Sequence, residues 1–147
     1  MTSSGLADSY IVERHVAKTG ALLWSAASVF INTPISSDNG GGIFFGYEML
    51  GATPIGLQSG VARISSKRVG SWTSVQAATG DASMTHVQTN GGPAVSIDGN
   101  TVYLVISNGS AGYLVGLDSH TLAPTAFWQA TFLRTTRAAG YFISMRR

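Results

Sequence analysis

The chain carries one pattern twice, and part of it a third time. One copy runs through Thr33-Pro34-Ile35-Ser36-Ser37-Asp38-Asn39-Gly40, Ile43-Phe44-Phe45-Gly46, Gly60-Val61-Ala62-Arg63-Ile64 and Trp72. The other runs through Gly92-Pro93-Ala94-Val95-Ser96-Ile97-Asp98-Gly99, Thr101-Val102-Tyr103-Leu104-Val105, Tyr113-Leu114-Val115-Gly116-Leu117-Asp118 and Trp128. Val16-Ala17-Lys18-Thr19-Gly20-Ala21-Leu22-Leu23-Trp24 repeats the final part ahead of both. The tryptophans lie 48 residues apart (24 to 72) and then 56 (72 to 128). A period of roughly fifty residues with several short strands in each unit is the pattern of β-propeller blades, which bury their apolar faces on one another.

Alternation and turn residues place the strands. The reading is all-β: an incomplete propeller with two near-complete four-stranded antiparallel blades and part of a blade before them. A short tail spans 1–8, and the arc spans 9–130, divided into a partial blade 9–26, a blade 27–75 and a blade 83–130. A divergent basic tail follows at 131–147, where Tyr141 to Met145 fits one further strand. Tyr10 to Val16 and Ala21 to Ser25 are expected strands of the partial blade, and Ser71 to Val75 is the outer strand of the next. Gln76 to Gly92 reads as loop, with a short strand near Met84 to Gln88. Asp38, Gly40, Asp98, Gly99 and Asp118 are expected in turns, where Asp satisfies local backbone groups and Gly accepts positive φ. A propeller needs about four to eight blades to close. The open arc therefore predicts that the remaining blades come from a longer chain, or that copies of this chain associate.

Composition narrows the function classes. Charged residues make up 11% of the chain and glycine 18 of its 147 residues, which suits short strands and tight turns better than long surface helices. The net charge of +2 arises in the last fourteen residues, which hold Arg134, Arg137, Arg146 and Arg147. That is no basic face interleaved with aromatics, so nucleic acid is not an expected partner. The absence of cysteine removes disulfides, thiolate metal sites and Cys nucleophiles. No run has the length of a membrane span, and the first residues lack the basic and apolar regions of a signal peptide.

The repeats resemble those of the quinoprotein alcohol-dehydrogenase-like, or PQQ-repeat, β-propeller superfamily. The likeness rests on Pro93 to Tyr103, on Tyr113 to Thr121, and on Ala17-Lys18-Thr19-Gly20-Ala21-Leu22-Leu23-Trp24. It covers residues 10 to 129. The Leu-Asp pair of such repeats survives as Leu117-Asp118, whereas Ile64-Ser65 and His15-Val16 stand in its other places. The resemblance implies that Trp24, Trp72 and Trp128 dock neighbouring blades, a role that suits a large indole. It also implies a parent that is mostly periplasmic or extracellular. In quinone-dependent dehydrogenases of this kind PQQ and calcium bind in a central funnel. No segment here matches their catalytic Asp or calcium ligands, so no catalytic residue is assigned and no cofactor is expected unless the chain is a dehydrogenase fragment.

The residues themselves point the same way. Asp38 and Asp98 recur at one turn, a structural position and no glycosidase pair. His15, His86 and His120 lack metal-ligand spacing. Gly56-Leu57-Gln58-Ser59-Gly60 has its serine one place late for a nucleophile elbow. Asp38-Asn39-Gly40-Gly41-Gly42 lacks the ending of a phosphate loop and the closing Glu of a calcium loop. The expected function is non-catalytic binding or scaffolding. The alternatives are a quinoprotein oxidoreductase fragment and a carbohydrate-binding module with exposed Tyr47, Tyr113 or Phe127.

Overall fold

A computed structural model describes residues 12–15, 22–26, 29–51, 56–134 and 141–146, with side chains described over 29–51 and 56–129. The expected N-terminal tail lies outside the described residues. The chain is all-β apart from one short helix. Strands β1 (Val12–His15) and β2 (Leu22–Ala26) form an antiparallel hairpin, with Arg14 opposite Trp24.

The first sheet contains β3 (Val29–Ile31), β4 (Ser36–Ser37), β5 (Ile43–Met49), β6 (Gly60–Ile64) and β7 (Gly70–Ser74). Its order is β3-β5-β6-β7, and β4 also pairs with β5. The helix α1 (Val75–Thr79) follows, inside a stretch expected to be strand end and loop. Ser74 caps it by accepting a hydrogen bond from the Ala77 amide, and Gly80 ends it in the left-handed conformation. The second sheet contains β8 (His86–Val87), β9 (Ala94–Val95), β10 (Thr101–Ser107), β11 (Ala111–Asp118), β12 (Pro124–Arg134) and β13 (Tyr141–Arg146). Its order is β13-β12-β11-β10-β8, and β9 also pairs with β10. All pairings are antiparallel, and neither sheet closes into a barrel. Beyond Phe132, where the repeat is lost, the backbone nonetheless remains in the sheet: β12 runs on to Arg134 and pairs with β13.

The two sheets share one plan. Each starts with a strand broken in two, β3 with β4 and β8 with β9, and each then runs as an antiparallel meander. Hydrogen bonds fix the correspondence. The Asn32 amide donates to the Gly46 carbonyl at 3.2 Å, as the Gln88 amide does to Val105 at 2.8 Å. At the next turn Ser65 N–H donates to the Val69 carbonyl, as Asp118 N–H does to Ala123. Gly46 thus corresponds to Val105, and Ile43 opposite Ile64 corresponds to Val102 opposite Leu117.

Because side chains alternate across a strand, each sheet has two faces. The leading face carries Phe45, Tyr47, Ala62 and Ile64 in the first sheet, and Leu104, Ile106, Val115 and Leu117 in the second. The trailing face carries Phe44, Gly46 and Val61 in the first, and Tyr103, Val105 and Leu114 in the second. The main core joins unlike faces. Phe44 and Val61 from the first trailing face pack with Val102, Leu104, Ile106, Val115 and Leu117 from the second leading face, all buried. Val75 and Ala78 of α1, with Met84 and Leu122, belong to the same cluster. Each such side chain contributes about 1.5–3 kcal/mol when removed from water. Asn32 links the sheets through its side-chain amide, which donates to the Val87 carbonyl at 3.0 Å, while the Asn90 amide donates to the Asn32 carbonyl.

Candidate functional site

The leading face of the first sheet is concave and apolar. Val29, Ile31, Phe45, Tyr47, Leu57, Ala62 and Trp72 line a hollow of about 250 Å³. Val29 and Tyr47 are buried at its floor with Phe45, Met49, Leu57 and Ala62 packed around them. Trp72 (41% exposed) and Ile64 (36%) stand at the rim. Cross-strand register explains the grouping: Phe45, Ala62 and Trp72 lie in one row across β5, β6 and β7.

One residue of this hollow has a buried polar atom without a hydrogen-bond partner, Tyr47 Oη; Arg63 Nε and Ser71 Oγ are likewise unpartnered but belong to the opposite face, where the Arg63 guanidinium lies over the Phe44 ring. Each such atom, once cut off from water, costs about 1–3 kcal/mol until it is partnered. Burial pushes the Tyr47 hydroxyl well above its ordinary range, so it is a donor at any working pH. The arrangement suits an occupant with a broad apolar surface.

The tryptophans do not fall in one row. Trp72 sits opposite Ala62 on the leading face. Trp128 sits opposite Leu114, which faces Val105, and is therefore on the trailing face of its sheet. The counterpart of Trp72 is Phe127, opposite Val115 and 51% exposed. Trp24 lies in β2, and its side chain is outside the described residues.

The turn residues are held by their own carboxylates. Asp38 accepts from the Gly42 amide at 2.7 Å, and a β-carbon on Gly42 would stand 2.6 Å from its Oδ2. Gly40 and Gly41 complete this turn, and Gly41 takes φ of 79°. Asp98 accepts from the Ser96 hydroxyl and from Asn100, with Gly99 at φ 75° beside it. Asp118 accepts from the His120 and Thr121 amides and from the Thr121 hydroxyl. These bonds hold both acids below the usual carboxylate range, Asp98 chiefly through Ser96 and Asp118 chiefly through the Thr121 amide.

Other polar clusters are local. Tyr113 Oη donates to Asp81 Oδ2 at 3.0 Å, and Ser83 N–H donates to Asp81 Oδ1. Ser107 Oγ lies 3.1 Å from His86 Nε2, but its proton is directed to Gln88 Oε1 at 3.0 Å, and Thr85 Oγ1, not a carboxylate, stands at His86 Nδ1. In that arrangement His86 donates to Ser107 and does not act as its base. Of the aromatics expected on the surface, Tyr47 and Tyr113 are instead buried, Tyr47 against Val29 and Tyr113 in the main core, and Phe127 alone of the three is exposed. Phe127 meets the Tyr113 ring edge-to-face at 6.2 Å. Among the described residues no three His, Cys, Asp or Glu side chains gather as a metal site, and no helix is long and apolar enough to cross a membrane.

Sequence reasoning missed the hollow as a unit. Its signal was present in the alternation of Ile43, Phe45 and Tyr47, but neither the contribution of Leu57 from the β5–β6 loop nor the unpartnered Tyr47 hydroxyl could be read from spacing. No family model, curated protein or solved structure matches the chain.

Proposed function

We propose that the chain is a run of neighbouring blades from an incomplete β-propeller of the PQQ-repeat type, with a binding or scaffolding role and no chemistry of its own. One observation carries this reading: the two sheets, built on one plan, stack leading face on trailing face. Contact between unlike faces of like units is heterologous, and it propagates until a ring closes. Among the described residues it leaves the leading face of the first sheet without a sheet packed on it. The apolar hollow there is the surface through which the chain engages further blades, whether from a longer chain or from copies of itself. Asp38, Asp98 and Asp118 are engaged in their own turns, which supports a structural role for them.

Binding of a fluorescent apolar dye tests the reading. The wild-type chain binds the dye, and Phe45→Lys, which places a charge on the hollow wall, loses most of the signal while keeping the circular dichroism of a folded sheet. A wild-type chain that does not bind the dye contradicts the proposal. So does a chain that gains a visible absorption band and dye-reducing activity on addition of the quinone and calcium, because that response belongs to a dehydrogenase.

A further inference from the structure

We infer that Asn39 is a site of spontaneous covalent modification, at which the Gly40 nitrogen displaces the side-chain amide and a carboxylate results, and that the fold directs this reaction to Asn39 among three Asn-Gly pairs.

The pairs are Asn39-Gly40, Asn90-Gly91 and Asn108-Gly109. Each combines a side-chain amide with a following residue that has no β-carbon to hinder approach to its nitrogen. The glycine nitrogen loses its proton and bonds to the asparagine Cγ, the Cγ–Nδ2 bond breaks, and ammonia leaves with that proton. Water then opens the cyclic imide at either carbonyl. One opening gives aspartate. The other gives isoaspartate, in which the β-carbon becomes part of the main chain.

The reaction needs a free amide nitrogen and a side chain that can swing onto it. Asn39 and Gly40 meet both needs. They form the tip of a turn closed by the Gly41 amide, which donates to the Asp38 carbonyl at 3.3 Å, and both are exposed. Among the described residues neither the Asn39 side chain nor the Gly40 amide has a hydrogen-bond partner. The other two pairs each fail one need. The Gly91 amide is engaged, donating to the Gln88 carbonyl at 3.2 Å, and the Asn90 amide donates to the Asn32 carbonyl across the two sheets. The Asn108 side chain is held in place: its Oδ1 accepts from the Ser110 amide at 3.0 Å and the Ala111 amide at 2.9 Å, and its Nδ2 donates to Ser83 Oγ at 3.3 Å.

The product acts on its own turn. Asp38 Oδ1 accepts from the Gly42 amide at 2.7 Å and so closes the hairpin between β4 and β5. A second carboxylate beside Asp38 repels it, and isoaspartate lengthens the main chain within the turn. Either change loosens the short pairing of Ser36 and Ser37 with β5.

Incubation of the full chain in mildly alkaline buffer made with heavy-oxygen water tests this, with peptide mass spectrometry reading each pair. Acid carrying heavy oxygen accumulates at Asn39 several-fold faster than at Asn90 or Asn108, and part of it is isoaspartate. In concentrated urea, which removes the bonds that protect the other two, the three pairs react at similar rates. Gly40→Ala slows the reaction at Asn39 several-fold, because a β-carbon then crowds the attacking nitrogen. Equal rates at the three pairs in the absence of urea, or no acid at Asn39, overturn the inference.

Discussion

Gly46 and Val87 touch across the two sheets so closely that no side chain fits between them: a β-carbon at 46 would come within 2.8 Å of Val87 Cβ and Cγ1. The glycine is present because the sheets stack there, and strand propensity alone would disfavour it. Gly46→Ala is expected to destabilise the fold by about 1–3 kcal/mol, the usual cost of overpacking a filled interior. Urea unfolding measures this. A variant as stable as wild type would show that the sheets are not in contact at this point.

Tyr47 presents the opposite case, a buried hydroxyl with no partner. Tyr47→Phe is expected to be neutral or to raise stability by up to about 1 kcal/mol, since it removes an unsatisfied group and keeps the ring. Its pH dependence has a definite sign. Burial raises the folded-state pKa, so the unfolded chain ionises first as pH passes about 10, and stability present below that value is lost above it. Thermal melts across the alkaline range should show this loss in wild type and a shallower one in Tyr47→Phe.

The acid limb belongs to the turns. Asp98 and Asp118 are held below the ordinary carboxylate range by hydrogen bonds to their ionised forms, Ser96 first for Asp98 and the Thr121 amide first for Asp118. Their contribution is therefore fully present above about pH 4 and fades as pH falls through the lower folded-state values. Both side chains are exposed, so the effect is small. The Asp98→Asn Asp118→Asn double variant should show a slightly shallower melting-temperature decline below pH 4. A curve parallel to wild type would place the acid sensitivity elsewhere.

Ser74 joins the first sheet to α1. Its hydroxyl accepts from the Ala77 amide at 3.1 Å, and the residue is buried. Ser74→Ala should cost about 1 kcal/mol, as the loss of an N-cap does. Ser74→Asp should retain part of that stability, since Asp also caps. Equal losses in both variants would show that the site is sensitive to size and not to capping.

Much of the strand plan was legible because alternation and turn chemistry agree. Thr101 to Ser107 is rich in β-branched and aromatic residues and runs up to an Asn108-Gly109-Ser110 turn, and β10 ends where that turn begins. Gly60 to Ile64 likewise matches β6, while Gly112 to Leu117, the strand that the turn residues suggest, falls one residue short of β11 at each end. The helix α1 was not legible: five residues are too few to display a helical period, and β-branched Val75 reads equally as the end of the strand before it. The tryptophan spacing was misleading in a different way. Ten residues separate Asp118 from Trp128 but seven separate Ser65 from Trp72, and the register slips between Gly116 and Leu117. One extra residue at a bulge turns a side chain to the other face. Trp128 therefore points away from the face that Trp72 occupies. The hollow itself depends on which faces meet, a tertiary fact that the repeats imply only when their hydrogen bonds are matched.

The account turns on unlike faces meeting, and nuclear Overhauser contacts of Val87 in a methyl-labelled sample test this most directly. The predicted result is strong transfer from the Val87 methyl groups to the Gly46 α-protons, with none to the rings of Phe45 and Tyr47. Transfer to those two rings, with Gly46 silent, would mean that the sheets join by like faces, and the reading of a propagating stack would be wrong.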